Sequence, residues 1–122
     1  YKRQVSLLTN LDNHDLKRMG FSCGHKKFVE NLVKIGVKAG VDGIVSSPKE
    51  IKYLKSKYKS LIFVTPGIRL PKNKKNDQKR IESPRFAIKA GSNILVIGRP
   101  ITKSKDPINA IQEIVKNIEY GK

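Results

Sequence analysis

Four short runs of apolar, largely β-branched residues, at positions 4–9, 43–46, 61–65 and 94–97, recur along the chain, and each is followed by a stretch with helical periodicity. None shows the clean alternation of a half-exposed strand, which is the pattern of strands buried on both faces of a parallel sheet. Residues 25–39 set Phe28, Leu32, Ile35 and Ala39 on one expected helical face. The same spacing joins Ile51, Leu54 and Tyr58, recurs over residues 86–90, and joins Ile108, Ile111, Ile114, Val115 and Ile118. Helix starts are marked at Ser47-Pro48-Lys49-Glu50, Ser83-Pro84 and Asp106-Pro107, each a cap followed by a proline at the first helical position. Gly40 and Gly91 stand where a left-handed residue would end a helix. A short extra helix is expected within residues 11–19. Strands alternating with helices require parallel βαβ units.

An open doubly wound sheet, a four-repeat solenoid and half of a closed barrel could each hold four such units. What separates them is the residues at the C-terminal strand ends: Thr9-Asn10, Ser46-Ser47, Thr65-Pro66-Gly67-Ile68-Arg69 and Gly98-Arg99. Four consecutive strands offering polar ends to one rim is the layout of the ligand-binding face of a (β/α)8 TIM barrel. The Gly-x-Gly-x-x-Gly fingerprint of a dinucleotide-binding open sheet is absent. With 122 residues, the chain has about half the length of such a barrel, so the expected fold is α/β, with this chain supplying four of eight units.

Charge is the other prominent feature, a formal +16. On its own it would suggest a nucleic-acid partner. Arginine, however, occurs only at positions 3, 18, 69, 80, 85 and 99, the other twenty of the twenty-six basic residues being lysines scattered over the helical segments. That pattern reads as a solvated lysine surface, and the abundance of Lys, Ile and Asn as compositional drift in the coding DNA. No apolar run approaches the roughly 18 to 20 residues of a membrane span. No secretory signal is visible, and a chain starting at Tyr1 suggests processing or truncation. The single cysteine, Cys23, sits in no metal-binding spacing, so a reducing cytoplasm is the expected compartment.

Gly98-Arg99-Pro100 carries the strongest chemical signal. Glycine lets backbone approach a ligand closely, neighbouring N–H groups can point at an oxyanion, and Arg99 adds a two-pronged cationic donor matched to phosphate. The ends of a barrel's last two strands are where phosphate sites recur. Residues 70–82 form a long polar connection after Arg69, read as a loop that closes over a phosphate, with Gln78 donating its amide. His14 and His25 read as surface residues near helix ends, Asp12 and Asp15 as a polar helix start and Cys23 as a half-buried small residue. The four tyrosines are too dispersed for a base-stacking platform. No metal site is expected.

Thr65-Pro-Gly-Ile-Arg69, Asp77-Gln-Lys-Arg-Ile81, Ser83-Pro84, Ala87-Ile-Lys-Ala-Gly91 and Ile97-Gly-Arg-Pro-Ile-Thr102 together resemble the C-terminal half of bacterial orotidine 5′-phosphate decarboxylase. Leu7-Leu-Thr9, Asp15-Leu16, Met19-Gly20 and Gly40-Val-Asp-Gly-Ile-Val-Ser46 extend the likeness to essentially the whole chain. The resemblance implies strands five to eight of a barrel, so that residues 1–122 are the C-terminal half of one domain. It further implies a homodimer in the full-length protein and cofactor-free conversion of orotidine 5′-monophosphate to uridine 5′-monophosphate and carbon dioxide. Carried onto this sequence, Arg99 and the Gly98 backbone hold the 5′-phosphate and Gln78 spans phosphate and pyrimidine. Thr9 approaches the base, and Arg69 joins the ligand contacts. The family's Asp-x-Lys-x-x-Asp segment is missing. Asp77-Gln-Lys79-Arg-Ile-Glu82 mimics its spacing but falls in a loop and ends in Glu, so no catalytic residue is assigned. The alternatives are another phosphate-sugar barrel enzyme and a non-catalytic basic binding module.

Overall fold

A computed structural model describes residues 2–7, 11–70 and 82–119. The elements are β1 (Arg3–Val5), α1 (Asn13–Arg18), α2 (His25–Lys38), β2 (Gly43–Val45), α3 (Pro48–Lys57), β3 (Ile62–Thr65), α4 (Pro84–Ala90), β4 (Ile94–Leu95), α5 (Arg99–Thr102) and α6 (Pro107–Glu119). The strands form one parallel sheet in the order β1-β2-β3-β4, with Val5 opposite Val45, Val45 opposite Val64, and Val64 opposite Ile94. A doubly wound sheet reverses its strand order at a switch point. This one runs in sequence from edge to edge, as a barrel wall does.

The caps read from sequence start the helices. Glu50 accepts from the Ser47 N–H at 3.1 Å at the start of α3, and the Ser83 hydroxyl accepts from Phe86 N at 3.2 Å to open α4. Gly91 ends α4 in the left-handed region, at φ 104°. At Gly43 a side chain is excluded by close packing, since a Cβ there would lie 2.5 Å from the Ile62 carbonyl oxygen on the neighbouring strand. The core lies between the central strands and α2 and α3: Ile44, Phe63, Val29, Val33, Ile51 and Leu54 are wholly buried. Each such side chain contributes about 1.5–3 kcal/mol of transfer free energy.

Four expectations need correction. Burial on both faces holds for β2 and β3 but fails at β1 and β4, where Val5 is 49% and Ile94 39% exposed, because an edge strand has a neighbour on one side only. The inward stripe of α2 is Val29, Val33 and Gly36, with Phe28 and Leu32 half-buried; Ile35 and Ala39 face outward. A helix apolar on two sides offers two candidate stripes, and spacing alone selects neither. On α6 the buried residues are Ala110 and Ile114, while Ile108, Ile111 and Val115 are exposed, and Phe86 on α4 is exposed although its neighbour Ala87 is buried. The four-residue helix α5 was not anticipated.

Candidate phosphate-binding rim

The C-terminal ends of β2, β3 and β4 lie side by side on one rim, because the strands are parallel and adjacent. Several polar groups there are used internally. The Ser46 hydroxyl donates to Glu50 Oε2 at 2.7 Å, and Glu50 is 1% exposed, a carboxylate kept in the interior by its serine and backbone donors. Thr65 Oγ1 and Ser92 Oγ share a hydrogen bond of 2.6 Å, both residues buried. Ser46 and Thr65, expected as ligand-facing strand ends, therefore serve the turns behind the rim. Glu50 and Ser92 were not singled out by sequence. The capping motif marked Glu50 as a helix-start residue, but nothing in the pattern signalled its burial.

Arg69 follows β3 and is buried, with Nη1 donating to the Ile68 carbonyl at 2.9 Å. Its backbone N–H donates to the Glu82 carbonyl at 3.0 Å, and the Glu82 N–H donates to the Gly67 carbonyl at 3.3 Å, so the two ends of the long connection meet in a parallel bridge. Lys49 on α3 forms an ion pair with Glu82 at 3.3 Å.

Gly98 and Arg99 follow β4 at the start of α5. The Gly98 carbonyl accepts from Ile101 and Thr102 N–H at 2.8 and 3.1 Å, which turns the chain sharply at the rim. Gly98 lies outside the left-handed region, at φ −103° and ψ −91°, and a Cβ there would meet no atom within 4 Å. The backbone at this position is open to approach. Arg99 is half-buried in the first helical position, where N–H groups lack intrahelical acceptors. Arg69, Gly98 and Arg99 thus belong to neighbouring strand ends. Thr9 and Gln78, and the 71–81 part of the loop, lie outside the described residues.

Other candidates resolve into structure. His25 N and Nδ1 both contact Asn13 Oδ1, at 2.7 and 2.9 Å, tying α2 to α1, and Asp12 caps α1 with Asp15 completing the box. Cys23 is half-buried. Among the described residues no group of three His, Cys, Asp or Glu could hold a metal, and no helix is long and apolar enough to cross a membrane. Several lysines lie over the fold itself: Lys26 over Tyr53 at 4.9 Å, Lys55 over Phe63 at 5.2 Å, and Lys57 paired with Glu30 at 2.6 Å. A cavity of about 280 Å³ bordered by Leu11, Asp15, Arg18 and Met19 opens beside α1 and takes no lining from Arg69, Gly98 or Arg99.

A family model described as Orotidine 5′-phosphate decarboxylase / HUMPS family matches residues 2–114. The chain belongs to this family. It is 45% identical over 116 residues to an orotidine 5′-phosphate decarboxylase of Coxiella burnetii, covering 94% of this chain and 49% of that protein. The decarboxylase of Dictyoglomus turgidum is 44% identical over 121 residues, with 98% and 50% covered. A crystal structure of the Lactobacillus acidophilus decarboxylase superposes with a TM-score of 0.75 at 31% identity, over 95% of this chain and 48% of that one. The Sulfolobus solfataricus decarboxylase, at 19% identity and a TM-score of 0.69, supports the fold alone. The chain spans about half the length of the curated relatives it matches. Its parallel sheet is accordingly about half of a family (β/α)8 barrel.

Proposed function

We propose that this chain is the phosphate- and base-binding half of an orotidine 5′-phosphate decarboxylase, in which Gly98 and Arg99 hold the 5′-phosphate of orotidine 5′-monophosphate. The observation that carries the reading is the sharp turn at Gly98, where open backbone and an arginine sit together at the end of the last strand. Arg69 lies at the neighbouring strand end. A guanidinium and backbone N–H groups together suit a phosphate oxyanion. Thr9, beyond β1, approaches the base, and Gln78 in loop 70–82 joins base to phosphate as that loop closes.

The proton that replaces carbon dioxide comes from outside these residues, since the Asp-x-Lys-x-x-Asp segment is absent from the 122 positions. The chain alone is therefore inactive, and remote phosphate contacts contribute binding energy to loop closure and catalysis in the whole enzyme. The full-length protein is a cytoplasmic homodimer that uses no cofactor or metal. Titration with uridine 5′-monophosphate tests the site: Arg99→Ala is expected to weaken binding about 10- to 100-fold, the scale of a lost charge-assisted contact. Unchanged affinity, or ligand binding dominated by salt-sensitive nucleic acid, would contradict it.

A further inference from the structure

Glu82 connects three parts of the rim that are distant in sequence. Its carbonyl accepts from Arg69 N–H, its own N–H donates to the Gly67 carbonyl, and its carboxylate pairs with Lys49 in the first turn of α3. Two residues later the chain enters α4 at Pro84. The bridge shortens the stretch that must be closed entropically and fixes where the backbone of Arg69 leaves β3. Lys49 stands at the end of α3 where the helix dipole disfavours a cation, so an acidic partner offsets an otherwise unfavourable position. The opposite side of the same turn is anchored inward by Glu50, through Ser46 and Ser47.

We infer that Glu82 is a positioning residue for the nucleotide site, and that the Lys49–Glu82 pair ties the base of the 70–82 connection to α3 so that Arg69 is held on the rim. The inference rests on the reading of Arg69 as a ligand contact. Glu82 touches no substrate in this scheme; it acts through Arg69.

Two measurements on this chain fused to the N-terminal half of the Coxiella burnetii relative test it together: hydrogen exchange of the Arg69 amide, and affinity for uridine 5′-monophosphate. Lys49→Ala and Glu82→Gln are each expected to speed Arg69 exchange and weaken the nucleotide about 2- to 5-fold, the range of an exposed ion pair. The reversed pair, Lys49→Glu with Glu82→Lys, restores both while leaving net charge unchanged. Loss of Lys49 relieves α3, so a weakened site cannot come from a destabilised helix. Three results would overturn the inference: an unprotected Arg69 amide in the parent chain, single variants that match the parent, or a reversed pair no better than the singles. An amide response without a change in affinity, in a chain where Arg99→Ala does change it, would reduce Glu82 to a purely structural role and overturn positioning. A parent chain that binds no nucleotide but shows the amide response would overturn the decarboxylase-site reading and support the clip.

Discussion

The centre of the sheet and its β4 edge are built to different standards. Around β2 and β3, Ile44, Ile51, Leu54 and Phe63 are wholly buried, and even the polar Glu50 and Thr65 have internal partners. Around β4 and α6, Ile94 is 39%, Val96 50%, Ile108 71% and Ile111 46% exposed. The centre supplies its own packing, whereas the edge carrying Gly98 and Arg99 leaves apolar side chains exposed. In half of a barrel an inner strand has two neighbours from its own half and an edge strand only one, which leaves β4 the less covered.

The contrast is most easily broken by stability measurements. Phe63→Ala should cost about 3–5 kcal/mol, because a large buried side chain leaves a cavity that rigid strands cannot fill. Ile111→Ala should fall within about 0.5 kcal/mol of the parent, as expected at a surface position. Equal losses in denaturant unfolding would erase the distinction. At the edge the expected effect is on association. The isolated chain should dimerise or aggregate through its open strand edges and apolar helix face. Ile108→Lys with Ile111→Lys should lower that tendency in sedimentation velocity at little cost to folding; a chain already monodisperse as a monomer would remove the premise.

The smallest expected effect is electrostatic and lies on the exposed surface above the centre, where Glu30 on α2 meets Lys57 on α3. The Lys57 hydrogen bond holds the Glu30 carboxyl below its ordinary value, and Glu30 in turn holds the Lys57 ammonium above its own. A lowered carboxylate stabilises the fold above its unfolded value and loses that contribution as pH falls through the folded one. The raised ammonium loses its contribution as pH rises through its folded value. Lys57→Met should therefore lower stability slightly at neutral pH and converge with the parent in acid, as read by thermal unfolding across pH. A constant offset down to strong acid would assign the difference to packing instead.

Sequence revealed the order of every element but α5, because apolar runs, caps and Gly91 are local signals and the structure uses them locally. It did not reveal which face of α2 or α6 turns inward, since Ile35 and Ile108 are as apolar as Val33 and Ile114. Their exposure depends on what lies beside the sheet. At the site, Gly98 and Arg99 were legible as a glycine-arginine pair ending a strand. The bridge through Glu82 was not, because it joins residues on either side of a long connection whose pairing no periodicity records. Family likeness supplied what spacing could not, namely the substrate proposed for this rim.

Fusion of this chain to the N-terminal half of the Coxiella burnetii relative, followed by assay with orotidine 5′-monophosphate, tests the central claim most directly. Neither half is expected to turn over alone, the fused protein is expected to release carbon dioxide, and Arg99→Ala to lower its kcat/KM about 10- to 100-fold. A folded fusion without turnover, or one indifferent to Arg99→Ala, would contradict it.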